Sequence, residues 1–140
     1  IKKSIGNRDD IIVSGDRFIF PSEIFFQSGS DILEKNGIEK LSNIALSLKE
    51  ISNKIPNKID WVLRIDGHTD KIPINNEKFT SNWHLSSSRA INIVKFFIDK
   101  GISPNRLVAA GFGEYSPISI EDSEMAYKKN RRIEIKLTTR

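Results

Sequence analysis

The sequence contains no cysteine, and this absence excludes several kinds of chemistry. Without thiols the chain forms no disulfide, holds no thiolate-bound metal and has no cysteine nucleophile. It also lacks any run near the roughly 20 apolar residues that a helix needs to cross a bilayer. The excess of positive charge is also small, because the chain has 22 basic and 18 acidic residues. Proteins that read duplex DNA concentrate positive charge, so nucleic acid is not an expected partner.

The rest of the composition is that of one ordinary folded domain. The chain has 140 residues, of which 38% are hydrophobic and 29% charged, and this is enough to close a single hydrophobic core. It begins with Ile1 rather than methionine and shows no signal-peptide pattern. We therefore expect a fragment of a longer protein whose membrane anchor lies outside these residues.

Short β-prone runs occupy the first part of the chain. Residues 11–13 and 18–20 flank the segment Ser14-Gly15-Asp16, whose composition is typical of a tight turn and predicts a β-hairpin. A third run, at residues 24–26, predicts another short strand.

Two apolar stripes predict long helices. Between residues 38 and 55, apolar side chains recur every three or four positions until Pro56. A second helix is predicted to start near Ser86, as its N-cap, and to end before Gly101; its apolar stripe consists of Ala90, Ile93, Val94 and Phe97. A shorter third helix is predicted between residues 122 and 129.

Alternating apolar residues predict strands at residues 59–65, 107–110 and 133–137. Strands and helices therefore alternate along the chain, and each long helix has a single stripe to bury. The predicted fold class is α/β (α+β): a two-layer sandwich with helices packed on one face of a small mixed sheet. We assign residues 1–19 to an N-terminal β-hairpin extension and residues 20–140 to the main domain.

Three polar groups, His68, Thr69 and Asp70, follow directly after the central predicted strand. If the second helix starts at Ser86, Arg89 lies in its first turn, the helix end that favours anions. Arg89 then requires a negative partner, and Asp70 is the nearest candidate. Either the two form a plain ion pair, or they meet a ligand with both charges. In the second case Arg89 clamps a carboxylate with two hydrogen bonds and Asp70 accepts from an ammonium.

Two catalytic interpretations of the same cluster stay open from the residues alone. His68, Asp70 and His84 are chemically suited to hold zinc or iron, although their spacing is generic. Residues 86–88 are three serines, yet the Gly-x-Ser-x-Gly elbow of hydrolases is absent, and serines at a helix start are usually caps. In the arginine pair at 131–132, one side chain is expected to tie the sheet to the loops around Asp70.

Four motifs in this order give a family resemblance. They are GHTD at 67–70, SNWHLSSSRA at 81–90, GISPNRLVAAGFGEYSPI at 101–118 and NRRIE at 130–134, with FFQSGSDIL at 25–33 preceding them. Together they resemble the peptidoglycan-binding domain of the OmpA-like family, in its MotB-like branch. The resemblance covers about residues 20 to 138. It implies a βαβαβαβ sandwich that binds the peptide stem of the cell wall without catalysis, cofactor or metal.

The resemblance also implies which residues form the site. Arg89 would take the carboxylate of a diaminopimelate residue in the stem peptide, and Asp70 would take its ammonium. Further residues expected to line the same pocket are Thr69, Asn82, Leu85 and Phe26.

The implied partner is peptidoglycan, and the implied location is the periplasm or cell envelope. Weak binding at a single site suits an anchor that holds by avidity, so a homodimer is among the expected assemblies. Two alternatives stay open beside a general wall anchor. One is the stator-anchoring domain of a MotB-like flagellar motor protein, and the other is an envelope protein-interaction module that does not bind the wall.

Overall fold

A computed structural model of the chain describes residues 12–14 and 17–139. Within these residues the strands are β1 (Ile12–Ser14), β2 (Arg17–Pro21), β3 (Trp61–His68), β4 (Leu107–Gly113) and β5 (Arg132–Thr139). The α-helices are α1 (Lys35–Lys54), α2 (Asn82–Asp99) and α3 (Glu124–Asn130), and 3₁₀ turns cover Ser22–Ile24 and Pro104–Arg106. From β2 onwards strands and helices alternate, which confirms the predicted βαβαβαβ order.

The strands form one mixed sheet in the order β1-β2-β5-β3-β4. Only β3 and β4 pair in parallel; the other described pairs are antiparallel. The antiparallel pairing of β1 with β2 confirms the predicted hairpin, although Ile11, Gly15 and Asp16 lie outside the described residues. Because β2 also pairs with β5 along its whole length, it crosses the proposed division between residues 19 and 20, which stays a prediction.

The hydrophobic core lies between one face of the sheet and the two long helices, as predicted. The sheet contributes buried residues that alternate along its strands, including Phe18, Phe20, Leu63, Ile65, Ile133 and Ile135. The apolar stripes of α1 and α2 face them with Leu41, Ile44, Leu48, Ala90, Ile93 and Phe97. Fully burying one large apolar side chain contributes about 1.5–3 kcal/mol, so this layer holds α2 firmly against the sheet.

The opposite face of the sheet carries a buried network of charges. Asp66 on β3 lies directly across from Glu134 on β5. Arg64 donates to the carboxylate of Asp66 from Nε at 2.9 Å and from Nη2 at 3.0 Å, and Glu134 accepts from Arg17 at 2.6 Å and from Arg132 at 2.7 Å. Buried charges are tolerated when each has a hydrogen-bonded partner, and here every carboxylate has at least one arginine.

The strand predicted at residues 24–26 is wrong. Ser22–Ile24 is a 3₁₀ turn, and beyond it Phe25 and Phe26 are both buried in the core. Successive residues of a strand point to opposite faces, so two adjacent core residues are better accommodated by a turn. Phe26 makes an isolated bridge with Leu33 and belongs to no strand.

Helix α2 begins five residues earlier than predicted. Its N-cap is Ser81, whose hydroxyl accepts a hydrogen bond from the backbone N–H of His84 at 3.3 Å. Ser86 is therefore not the cap, and Arg89 lies about two turns inside the helix. Within the described part of the chain, no helix combines the length and apolar character that crossing a membrane requires.

Candidate functional site

A cavity of about 520 Å³ lies beside the end of β3 and the first turns of α2. The residues singled out in the sequence all line it: Phe26, Thr69, Asp70, Asn82, Leu85 and Arg89. Glu23, Glu124 and Arg131 line it too. The side chains of Glu23 and Glu124 are 43% and 77% exposed, so the cavity opens to solvent on their side. That the six residues bind a ligand stays a prediction.

Asp70 reaches the cavity because β3 ends just before it. The backbone N–H of Thr69 donates to the carbonyl of Gly113 at 2.9 Å, which fixes the exit of the strand. One carboxylate oxygen of Asp70 accepts from the backbone N–H of Ile72 at 3.1 Å. The other accepts from Nη1 of Arg131 at 2.8 Å. The carboxylate is thus held in place on both sides and lies at the cavity wall.

Arg89 is buried on α2, with 5% of the residue exposed. Its Nε donates to the carbonyl of Ser30 at 2.7 Å and its Nη2 to the carbonyl of Gln27 at 3.0 Å. The guanidinium carbon lies 5.0 Å from the ring centroid of Phe26, a cation–π distance. Burial lowers the pKa of Arg89 to about 10, so it stays a cation at neutral pH. Within the described residues Nη1 has no protein hydrogen bond and is available to a ligand.

Asp70 and Arg89 do not form the direct ion pair that was one of the two expectations. The partner of Asp70 is Arg131, and Arg89 is held by two backbone carbonyls instead. The prediction that Arg89 lies in the first turn of its helix is also wrong, because α2 starts at Asn82. Both charges nevertheless line the same cavity, one as an acceptor and one as a donor.

Arg131 is the charged centre of the cavity rim. It donates to Asp70, Glu23 and Glu124 at 2.8, 3.0 and 3.0 Å. Although partial burial lowers the pKa of Arg131, these three hydrogen bonds outweigh that effect and raise it. Arg131 therefore ties the start of β5 to the loop that contains Asp70, as predicted for one arginine of the 131–132 pair.

Asn82 fastens the loop after β3 to the start of α2. Its side-chain amide lies within 3.3 Å of the carbonyls of Asp70 and Ile72 and of the Glu114 carboxylate, and donates to them. Since Asn82 is buried, these bonds satisfy a group that would otherwise be costly to bury. The amide therefore sets the position of Asp70 relative to the helix that carries Arg89.

The metal set His68, Asp70 and His84 is not gathered into a site. The ring of His84 accepts from the backbone of Thr80 at 3.3 Å. Among the described residues, the group with metal-binding spacing is instead Asp66, His68 and Glu134. The arginines of the charge network already pair with both carboxylates of that group, and their positive charge opposes a further cation.

Two of the three serines, Ser86 and Ser88, have structural partners rather than a catalytic base. The hydroxyl of Ser86 donates to the carbonyl of Trp83 and accepts from the N–H of Gly113 at 2.9 Å. Ser88 donates to Asp31 at 2.5 Å. Burial raises the pKa of Asp31, but hydrogen bonds from Lys78 and Ser88 outweigh it and leave the pKa lowered. A hydrolase site of the expected type is therefore not assembled here.

His68 is buried beside the charge network with both ring nitrogens lacking a hydrogen-bond partner in the described part of the chain. Its ring stacks on Phe112 with the centroids 4.8 Å apart. Burial, together with the positive charge of Arg132, lowers the pKa of His68 to about 4. Arg17 and Arg64 lower it further and Glu134 opposes them. His68 is therefore neutral in the folded protein at neutral pH.

We expect the free energy of unfolding to fall as the pH drops from about 6.5 to about 4. A histidine in the unfolded chain has a pKa near 6.5, so the unfolded state binds the extra proton first in this window. The contribution of neutral His68 to the free energy of unfolding is fully present above pH 6.5, and up to about 3 kcal/mol of it is lost at pH 4.

Urea unfolding at several pH values measures this loss. His68→Phe should keep the ring stack and flatten the curve, whereas the exposed control His84→Gln should leave it unchanged. A His68→Phe curve parallel to wild type contradicts this assignment.

The sequence and the fold match a known family of proteins. The OmpA family matches residues 25–131, more than half of the chain, so the chain belongs to the OmpA family. It is 36% identical over 118 residues to Motility protein B of Bacillus subtilis (strain 168), which is 84% of this chain and 42% of that protein. This confirms the predicted family and its MotB-like branch. It also confirms the expectation of a non-catalytic module.

Solved structures agree with this assignment. A putative MotB-like protein from Desulfovibrio vulgaris superposes with a TM-score of 0.78 at 28% identity, over 89% of this chain and 75% of that one. The periplasmic domain of Helicobacter pylori MotB gives a TM-score of 0.75 at 28% identity, over 95% and 79%. The predicted fold class is thereby confirmed.

A more distant relative is named for its cell-wall association. The peptidoglycan-associated lipoprotein of Buchnera aphidicola subsp. Baizongia pistaciae (strain Bp) is 26% identical over 91 residues, 65% of this chain and 50% of that protein. The chain spans about half the length of the curated relatives that it matches.

Proposed function

We propose that this domain binds the stem peptide of peptidoglycan without catalysis and anchors an envelope protein to the cell wall. The observation that carries the proposal is the pair Asp70 and Arg89, which line one open cavity without neutralising each other. A zwitterionic amino acid is complementary to such a pair. The kinship with a peptidoglycan-associated lipoprotein and with the periplasmic domain of MotB supports the wall as the target and the periplasm as the location.

Diaminopimelate fits the arrangement because its free end has both a carboxylate and an ammonium. The carbonyl groups of Ser30 and Gln27 orient the guanidinium of Arg89. In the proposed complex its Nη1 donates to the carboxylate of diaminopimelate. Asp70 accepts from the ammonium, and Arg131 shares or yields its place on that carboxylate. Phe26 and Leu85 border the cavity and supply its apolar wall.

The expected affinity for a single stem peptide is modest. Hydrogen bonds to charged groups contribute about 1.5–3 kcal/mol each, and three or four of them must offset the cost of association. The result is a dissociation constant of roughly micromolar to millimolar. An anchor of this kind holds by engaging many stems on one covalent mesh, and a homodimer is the simplest assembly that would do so.

A second, narrower function is favoured by the relatives named Motility protein B. In that case the domain anchors the stator of a flagellar motor. The cavity and its ligand would be the same, and the difference lies in the part of the longer protein outside this chain.

We expect Asp70→Asn and Arg89→Lys each to weaken binding to purified sacculi at least tenfold, because each removes one half of the charge recognition. Co-sedimentation over a range of sacculus concentrations measures the effect, with thermal unfolding to verify the fold. Asp99→Asn and Arg106→Lys make the same chemical changes outside the cavity and should bind like wild type. Folded Asp70 and Arg89 variants that pellet like wild type contradict the proposal.

Competition with small molecules tests the ligand class separately. meso-Diaminopimelate should displace the domain from sacculi. Pimelate lacks the ammonium groups and cadaverine lacks the carboxylates, so each should compete at least tenfold more weakly. Equal competition by all three would refute zwitterion recognition while leaving wall binding itself intact.

A further inference from the structure

Trp83 and Tyr115 form a stacked aromatic pair on the surface. Their ring centroids are 4.9 Å apart and their planes differ by 22°. The two residues are 50% and 63% exposed. Large aromatic side chains contribute most to stability or binding when they are buried, and here two adjacent rings present an apolar face to water.

The pair is held by the fold rather than by a loose loop. Trp83 lies in the first turn of α2 and packs on Gly113, whose φ of +60° suits glycine. The N–H of Gly113 donates to the hydroxyl of Ser86 at 2.9 Å. Tyr115 closes the following turn by donating its N–H to the carbonyl of Phe112 at 3.3 Å. A platform ordered in this way loses little conformational freedom when a ligand binds.

The same pair adjoins the cavity. Asn82, which lines the cavity, directly precedes Trp83, and Glu114 directly precedes Tyr115. The side chains of Asn82 and Glu114 are joined by a hydrogen bond of 3.3 Å. The aromatic pair is therefore connected to the cavity wall through Asn82, and a ligand that extends out of the cavity past Asn82 would meet the two rings.

We propose that Trp83 and Tyr115 stack against a pyranose ring of the glycan strand to which the stem peptide is attached. This inference rests on the proposed function, which places the stem in the cavity. Three extended residues span about 10 Å, so the sugar that bears the stem lies near the site. The C–H face of a pyranose is apolar and its hydroxyl groups are polar, which matches flat aromatic rings beside the carboxylate of Glu114.

The test compares two ligands that differ only in the sugar. The stem tripeptide ending in meso-diaminopimelate and the same tripeptide on its N-acetylglucosaminyl-N-acetylmuramyl disaccharide are titrated calorimetrically into the 140-residue chain. We expect the disaccharide form to bind about three- to tenfold more tightly. Trp83→Ala and Tyr115→Ala should each abolish this difference and leave tripeptide affinity unchanged. Ile120→Ala, a control at an exposed apolar residue, should keep the difference.

Fluorescence gives a second readout. The chain has two tryptophans, and Trp61 is 5% exposed, so a ligand on the surface reports through Trp83. Chitotetraose alone, used as a glycan probe at millimolar concentration, should change the emission of wild type and of Tyr115→Ala to different extents. It should leave the emission of Trp83→Phe, in which Trp61 alone remains, unchanged.

The outcomes separate this inference from the proposed function. Equal affinity for the two ligands in wild type overturns the aromatic subsite and leaves stem binding standing. Binding of the disaccharide form with no binding of the tripeptide supports the subsite and overturns the assignment of the stem to the cavity. If Trp83→Ala loses both ligands while Tyr115→Ala loses neither, the tryptophan only supports the cavity wall, and the subsite is refuted. Retention of an envelope protein by the aromatic pair, with no sugar effect, refutes it as well.

Discussion

Gly111→Ala is expected to lower the free energy of unfolding by about 3 kcal/mol or more. Gly111 on β4 is the register partner of Gly67 on β3, and α2 passes directly over both. A Cβ at position 111 would lie 2.6 Å from the backbone nitrogen of Ser87 and 2.7 Å from its Cα. A Cβ at position 67 would lie 2.3 Å from the carbonyl oxygen of Ser86. Because these are backbone atoms, the helix itself must move to relieve the clash.

The same substitution should also weaken wall binding, since α2 carries Arg89 while β3 delivers Asp70. Urea unfolding measures the first effect and sacculus co-sedimentation the second. Ala110→Gly, at the residue directly before Gly111, is the matched control and should lower the free energy of unfolding by only about 0.5–1 kcal/mol. A Gly111→Ala protein within about 1 kcal/mol of wild type would show that the helix does not lie this close to the sheet.

Glu134→Ala is expected to destabilise the domain by about 3–5 kcal/mol, the range found when one partner of a buried ion pair is removed. Glu134 is 2% exposed. It accepts from Arg132, which is itself buried, and from Arg17. Although burial raises the pKa of Glu134, Arg132 outweighs that effect and leaves the pKa lowered. The carboxylate is therefore ionised at neutral pH, and its loss leaves Arg132 buried without this counter-charge.

Urea unfolding at pH 7.5 measures the change, and Glu134→Gln separates charge from shape. The glutamine retains one acceptor oxygen, so a smaller loss of about 1.5–3 kcal/mol is expected. Glu39→Ala, at an exposed position on α1, should alter stability by less than about 0.5 kcal/mol. A glutamine variant as stable as wild type would mean that the charge of Glu134 contributes nothing.

Most of the fold could be predicted from the sequence because most helices and strands show a regular spacing of apolar residues. The stripe of α1 and the alternation in β3 and β5 each follow from the need to bury one face. The start of α2 was missed because three consecutive serines at 86–88 offer equally good caps. The true cap, Ser81, is followed by Trp83 and His84, which are exposed and carry no helical stripe.

Six of the residues that line the cavity were predicted from the sequence, but most of their hydrogen-bond partners were not. Asp70 and Arg131 are 61 positions apart in the chain. The sequence placed one arginine of the 131–132 pair near the loops around Asp70, but no local pattern indicates that Arg131 meets the carboxylate. Glu23 and Glu124 are exposed acidic residues, and no motif or spacing around them indicates that they lie at the cavity rim. The carbonyl groups that hold Arg89 belong to the backbone, which a residue-type argument cannot identify.

The cavity is assembled from four separate stretches of chain: residues 22–29, 69–74, 82–89 and 124–131. No excised peptide from this protein would contain more than a part of it. The proposed binding to the wall therefore requires the whole fold, so we expect release from sacculi on heating to follow the same sigmoidal curve as thermal unfolding. A binding site built in this way is lost in one cooperative step as the domain unfolds, with no gradual decline in affinity beforehand.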